Sequence, residues 1–351
     1  MGGNLLHSIC IILIISLAWT TVAQFGKQCL SLPPEDFFAP FFLIYLMHLG
    51  GSVVYLLYFL GSVCFCQGNA DKILKEAVYV YKVEKNEKFF SPTVIKNVLY
   101  MTFPMLMLTF TLQYAYAQSL KFITASVAAS VMSTNAALVC VLGWVFLKEK
   151  VLMVKILGVV FAVVGVIVMS SNEGAQSGTE NLDVLGVFLV IFSAIGAAVY
   201  NVTFKLIYGH PTVNQVAFFM LIIAVLNVIV NSIPLYVLIQ YDYDHIVWEK
   251  VPWLSIAAYA GSSVIFQFLV NLGIAILNPL IVSVGVLCAL PIISAFDIMV
   301  RHEPASWRFY TGVTFFMLAF VFSVFPLDSL WKRKEKRDQP ESVALNEESK
   351  A

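Results

Sequence analysis

Gln113, Asn135, Tyr200, Gln267 and Asn271 stand inside long apolar runs of a 351-residue chain. Polar side chains in such runs must pair with one another or face water. A carboxamide offers both N–H donors and a C=O acceptor, so Gln113 and Gln267 are the first candidates for holding a small polar solute. Asn271 follows Gln267 by one helical turn, and Asn135 lies beside Ser133 in another run. Tyr114, Tyr116, Tyr200 and Phe268 would add flat faces near these amides. Such faces stack on heteroaromatic rings and attract organic cations by about 0.5–2 kcal/mol. Each residue also has a plainer role, since amides bond neighbouring membrane helices at about 0.6 kcal/mol per contact and aromatic rings pack.

Titratable groups are few in these runs. His48 lies mid-run, where a lone histidine is more often hydrogen-bonded than proton-coupled. Lys205 near the end of another run suits snorkelling to the interface. Asp297 and Arg301 are spaced for a local ion pair. His48, Asp297 and Cys140 do not converge in sequence as a catalytic set would, so the chain is not expected to be an enzyme. Its six cysteines form no pair of C-x-x-C clusters, no G-x-x-x-x-G-K-[ST] loop is present, and neither metal nor cofactor is expected.

Composition sets the solvent. Hydrophobic residues make up 60% of the chain and charged ones 12%, against about 45–50% and 25% in soluble domains. Disorder, a secreted disulfide scaffold and an ordinary cytosolic enzyme are excluded. About 20 apolar residues span a bilayer as a helix, and ten runs qualify: 5–25, 40–65, 98–120, 123–147, 153–171, 184–208, 214–240, 252–276, 279–300 and 306–325. They lack the alternation of barrel strands. The first has no basic segment before it and reads as a retained helix, not a cleaved signal.

With both termini on one side, sixteen of the 21 Lys and Arg residues gather there, and loops 171–183 and 241–249 on the other side are acidic. The positive-inside rule then makes both ends cytosolic; plasma membrane and endomembrane fit equally. Loop 67–97 is the longest connection, and the polar tail 331–351 reads as disordered. The expected partners are a small-molecule solute and the lipid bilayer, with no nucleic acid.

At an offset of 154 residues Gln113 falls on Gln267, Tyr114 on Phe268, Glu149 on Glu303 and Gly158 on Gly312. Two five-helix halves, 1–171 and 172–330, have odd numbers of spans and so insert in opposite senses. Secondary transporters built this way bind solute at the repeat interface.

The stretch Tyr114-Ala115-Tyr116-Ala117-Gln118-Ser119-Leu120, then Ile123-Thr124-Ala125-Ser126-Val127 and Leu147-Lys148-Glu149-Lys150, resembles the drug/metabolite transporter superfamily. The second half agrees in Asn271-Leu272-Gly273-Ile274-Ala275, Asn278-Pro279 and Val282-Ser283-Val284-Gly285. Phe38-Ala39-Pro40-Phe41, Phe204-Lys205 and Val251-Pro252-Trp253 look like subfamily F of solute carrier family 35, the thiamine-transporter-like group. The chain has Asn135-Ala136 and Tyr200-Asn201 where that group tends to have Asn-Lys and Tyr-Lys. The resemblance implies an all-α membrane protein of ten transmembrane helices in two inverted five-helix repeats, the EamA-like fold. It implies alternating access for thiamine or a similar organic cation, with nucleotide sugars as the rival solutes of the wider family.

Overall fold

The computed structural model describes residues 2–29, 36–64, 69–82, 91–123, 128, 131–148, 153–170, 184–301 and 307–324. Glu149, Glu303, loop 171–183 and the tail lie outside them, and so do the side chains of Asp297 and Arg301.

The described residues are almost wholly helical: α1 (Gly2–Cys29), α2 (Pro40–Cys64), α3 (Ala70–Val78), α4 (Pro92–Ser119), α5 (Thr134–Phe146), α6 (Met153–Ser170), α7 (Val184–Tyr208), α8 (Val213–Gln240), α9 (Trp253–Ile276), α10 (Pro279–Leu287), α11 (Ala289–Arg301) and α12 (Trp307–Val324). Six helices are long and apolar enough to cross a membrane, beginning with 9–26 of α1 and continuing with α2, α4, α7, α8 and α9. The other four expected spans coincide with shorter apolar helices.

Helix starts follow local chemistry. Ser91 accepts the Val94 N–H ahead of Pro92, which fits the first turn because it has no N–H to satisfy. This cap starts α4 at Pro92, six residues before the expected span. Thr212 and Gln215 form a reciprocal capping box at α8, and Asn278 caps α10 ahead of Pro279. Pro291 lies in the first turn of α11. Its missing N–H and its ring disfavour a continuous helix, and the span breaks at Cys288 between α10 and α11. Pro104 stays within an unbroken α4.

The main packing partners are α2 with α8, α6 with α12, α1 with α9, and α4 with α7. α5 also packs on α7, and α10 and α11 pack on α1. Close approach depends on glycine at two of these seams. A Cβ on Gly196 of α7 would lie 2.0 Å from Leu112 Cδ2 of α4, and one on Gly273 of α9 would lie 2.9 Å from Ile15 Cδ1 of α1. Gly261 of α9, by contrast, faces open space. Side chains reinforce the seams, with Ser193 donating to Leu112 O at 3.0 Å and Ser16 to Gly285 O at 2.7 Å.

Each end of the bundle has its own closure. At one end β1 (Phe37–Phe38) pairs antiparallel with β2 (His245–Ile246). At the other, α3 and a 3-10 turn at Tyr79–Tyr81 lie across the junction of α7 and α8. Asn214 donates to Ile73 O, Gln215 to Glu76 O and Asn97 to Tyr81 O. Loop 67–97 therefore contains an anchored amphipathic helix, with Ile73, Ala77 and Val78 buried. Lys205 does more at this end than snorkel. Its Nζ donates to Ile274 O and Ala275 O at 3.0 Å each, a cation on the free carbonyls where α9 ends.

Candidate functional site

A cavity lies where α2, α4, α7, α8 and α9 meet. Met47, His48 and Gly51 come from α2, Thr109 from α4, Tyr200 from α7, Phe219, Met220 and Ile223 from α8, and Gln267 and Asn271 from α9. The space between its atoms is about 310 Å³, of which about 20 Å³ is open to the centre of a water-sized sphere. That admits one or two waters; a drug-sized ligand needs about 300–1,000 Å³ of pocket. Among the described residues, no charged one lines the cavity.

Its polar wall is built from helical spacing. Gln267 and Asn271 are four apart, so α9 presents both amides on one face. The Tyr200 hydroxyl donates to Asn271 Oδ1 at 3.0 Å, and the Gln267 amide shares the same cavity lining. Asn271 is 1% exposed, yet its Nδ2 has no partner. A buried donor left unpaired costs about 1–3 kcal/mol.

His48 and Thr109 form the opposite wall. The His48 Nδ1 lies 2.9 Å from Ile44 O, and because a carbonyl only accepts, Nδ1 carries the proton. Nε2 is then the acceptor, 3.2 Å from the Thr109 hydroxyl. That hydroxyl also has Leu106 O within 3.1 Å, giving it a second acceptor for its one proton. The His48 ring lies 5.5 Å from that of Phe110.

Aromatic clusters separate the cavity from both ends. Toward α3, Phe204 packs on Tyr208 and Phe219 at 5.0 and 5.3 Å, and Tyr208 meets Tyr81 at 6.0 Å. The Tyr81 hydroxyl donates to that of Tyr208. Toward the β ribbon, Phe41 packs on Phe110 at 4.5 Å and on Tyr114 at 5.7 Å. A second, open groove, with about 1060 Å³ of space between its atoms against the cavity's 310 Å³, lies beyond the first plug, lined in part by Lys72, Lys75, Glu76, Tyr208 and His210.

Of the residues expected at the site, Tyr200, Gln267 and Asn271 come together on one wall. The others stand apart from this cavity. Gln113 is half-buried on α4, with Oε1 enclosed and unpartnered. Tyr114 belongs to the plug on the ribbon side. Tyr116 packs with Ile123, Ala128 and Val190. Asn135 begins α5 with an enclosed, unpartnered Oδ1, and Phe268 packs against the main core. The 154-residue offset relates Gln113 to Gln267 in sequence, but only Gln267 lines the cavity.

Thr109, Phe219 and the two methionines were absent from the sequence expectation; His48 was read as hydrogen-bonded, as it is, but not as part of the site. Thr109 could have been found, since it lies one turn before Gln113 on the same run. Phe219 and Met220 carry no signal among so many apolar neighbours. Among the described residues, no group of three His, Cys, Asp or Glu side chains could hold a metal ion.

Residues 6–171 match the EamA-like transporter family. Human "Solute carrier family 35 member F3" is 24% identical over 292 residues, covering 82% of this chain and 66% of that protein. Mouse "Solute carrier family 35 member F4" is 25% identical over 269 residues, covering 75% of this chain and 52% of that protein. The aligned region thus spans just under two thirds of the first relative and about half of the second. A solved crystal structure superposes with a TM-score of 0.64 at 16% identity, covering 90% of this chain and 96% of the other. That likeness is one of fold alone.

Proposed function

Because this chain belongs to the drug/metabolite transporter superfamily, within subfamily F of solute carrier family 35, we propose that it is a secondary transporter moving a small organic solute by alternating access. The carrying observation is the uncharged cavity that holds Tyr200, Gln267, Asn271 and His48 between two aromatic plugs. A carrier alternates by opening one plug while the other stays shut, and a cavity this narrow between two aromatic clusters fits a state near occlusion.

The proposed architecture is ten passes in two inverted five-helix repeats, 1–171 and 172–330, with both termini cytosolic. In this scheme α10 and α11 form one broken pass, and α3 is a cytosolic strap. Support comes from the packing. Exchanging the halves turns the pairing of α1 with α9 into that of α7 with α4, and the pairing of α1 with α10 and α11 into that of α7 with α5. The pairs α2 with α8 and α6 with α12 map onto themselves. The concentration of Lys and Arg on the strap side supports the orientation.

The relatives' subfamily and the aromatic and amide lining favour thiamine or a similar organic cation. A nucleotide sugar carries a diphosphate that calls for Lys or Arg, and none lines the cavity. Reconstitution of the full chain in liposomes with labelled thiamine and nucleotide sugars tests this. Saturable thiamine uptake is expected; uptake of a nucleotide sugar alone would reverse the assignment.

A further inference from the structure

Resting on the transporter reading, we propose that Gln267, Tyr200 and Asn271 form a recognition unit for a solute edge that carries one hydrogen-bond donor beside one acceptor. Primary carboxamides and amino-substituted nitrogen heterocycles present such an edge.

The argument follows from counting donors and acceptors. A phenolic hydroxyl has one proton to give and lone pairs to receive. Two amides meeting at the Tyr200 hydroxyl are therefore held in opposite senses, one accepting through its oxygen and the other donating through its nitrogen. Here Asn271 Oδ1 takes the proton at 3.0 Å, and Gln267, one turn along the same face of α9, is the second amide beside that hydroxyl in the cavity lining. What stays unspent is the Asn271 N–H₂ and the Gln267 C=O. Flipping both amides together leaves one donor and one acceptor again, so the result does not depend on how each amide is oriented.

Two further observations point the unspent pair at a ligand. Asn271 Nδ2 is buried and lacks any partner, although buried donors in native proteins are rarely left so. Both amides line the cavity, whose remaining lining includes the Phe219 ring and the Met47 and Met220 side chains. A flat ring with its edge on α9 would lie against these groups once the cavity, which here admits only one or two waters, widens in the transport cycle. Since no charged residue lines the cavity, selectivity must come from this edge and from shape. A site built to hydrogen-bond a group rejects analogues that lack it, because its own buried groups are then unpaired.

Uptake and competition in proteoliposomes test the unit. The probes are thiamine, which has an aminopyrimidine ring, nicotinamide, N,N-dimethylnicotinamide, whose donor is removed, and tetraethylammonium, a cation with no such edge. Binding of the same probes by the purified protein is read in parallel as thermal stabilisation. Nicotinamide and thiamine are expected to bind and compete about ten-fold more strongly than dimethylnicotinamide, and that ratio should fall toward one in Asn271→Leu, Gln267→Leu and Tyr200→Phe. Tyr200→Phe keeps the ring and removes only the hydroxyl, which separates the lock from packing. Equal competition by both nicotinamides, an unchanged ratio in all three variants, or no binding of any edge-bearing probe would overturn the inference. If tetraethylammonium were carried equally well by the wild type and all three variants, the unit would fall and the transporter reading would stand. If no probe or nucleotide sugar were carried at all, the transporter reading itself would fall.

Discussion

The Asp244 carboxylate caps the helix that carries His48. Its Oδ2 accepts the backbone N–H of Phe42 at 2.8 Å, in the first turn of α2, where N–H groups have no helical partner. Asp244 is fully buried beneath the β ribbon, and its Oδ1 has no partner. The contact ties the connection between α8 and α9 to the start of α2, next to Phe41 of the ribbon-side plug.

Burial raises the Asp244 carboxyl from 3.8 to about 6, against opposing pulls from the Phe42 and Phe41 N–H groups and Lys121. Between about pH 4 and 6 the folded protein thus keeps a proton that the unfolded chain has released. Stability therefore falls as pH rises through that window, by roughly 3 kcal/mol in all. Asp244→Asn removes the titration. Its unfolding midpoint in detergent should gain on the wild type from pH 4 to pH 7.5, with the whole gain made below about pH 6.5. A constant difference across that range would refute the coupling.

Gly196 sets how closely α4 and α7 approach. Alanine there places a methyl 2.0 Å from Leu112 Cδ2, and overpacking of this kind costs about 1–3 kcal/mol. A lowered thermal midpoint is expected for Gly196→Ala. In a Leu112→Ala background the same change should be neutral or stabilising, because the obstacle is gone and alanine favours helix by up to about 1 kcal/mol. Additive losses in the double variant would show that the two residues do not meet.

 The spans were legible in the sequence because lipid imposes long apolar runs. What the bounds show is that α2, α7, α8 and α9 each begin and end within one residue of the spans read from the sequence. The start of α4 was missed because Ser91 and Pro92 sit in a polar stretch that reads as loop until the cap is seen. At the site, Gln267 and Asn271 were legible as scarce polar groups one turn apart. Gln113 looked equivalent, but which face of α4 meets the cavity is decided by packing on α7, where Gly196 and Leu112 interlock. Nothing in local spacing reports that.

Sidedness can be checked by labelling single cysteines. Tyr243 and Lys75 are both exposed, at opposite ends of the bundle. In a cysteine-free background, Tyr243→Cys should react with an impermeant maleimide added to the non-cytosolic side, and Lys75→Cys only after the membrane is permeabilised. The reverse pattern would invert the orientation proposed from the Lys and Arg distribution.

The two glutamines give the sharpest comparison of sequence symmetry with structure. Gln267 lines the cavity beside Tyr200 and Asn271, whereas Gln113 is not among its described lining residues. If solute meets only the former, Gln267→Leu should raise the half-saturating concentration for uptake by roughly 2- to 12-fold, the worth of one neutral hydrogen bond at about 0.5–1.5 kcal/mol. Gln113→Leu should leave that concentration within about two-fold, because it replaces an enclosed amide whose Oε1 already lacks a partner. Initial rates over a range of solute concentrations, normalised to the amount of reconstituted protein, separate the two. Equal losses in both variants would mean that the cavity opens onto α4 during transport and that the sequence symmetry is a working one.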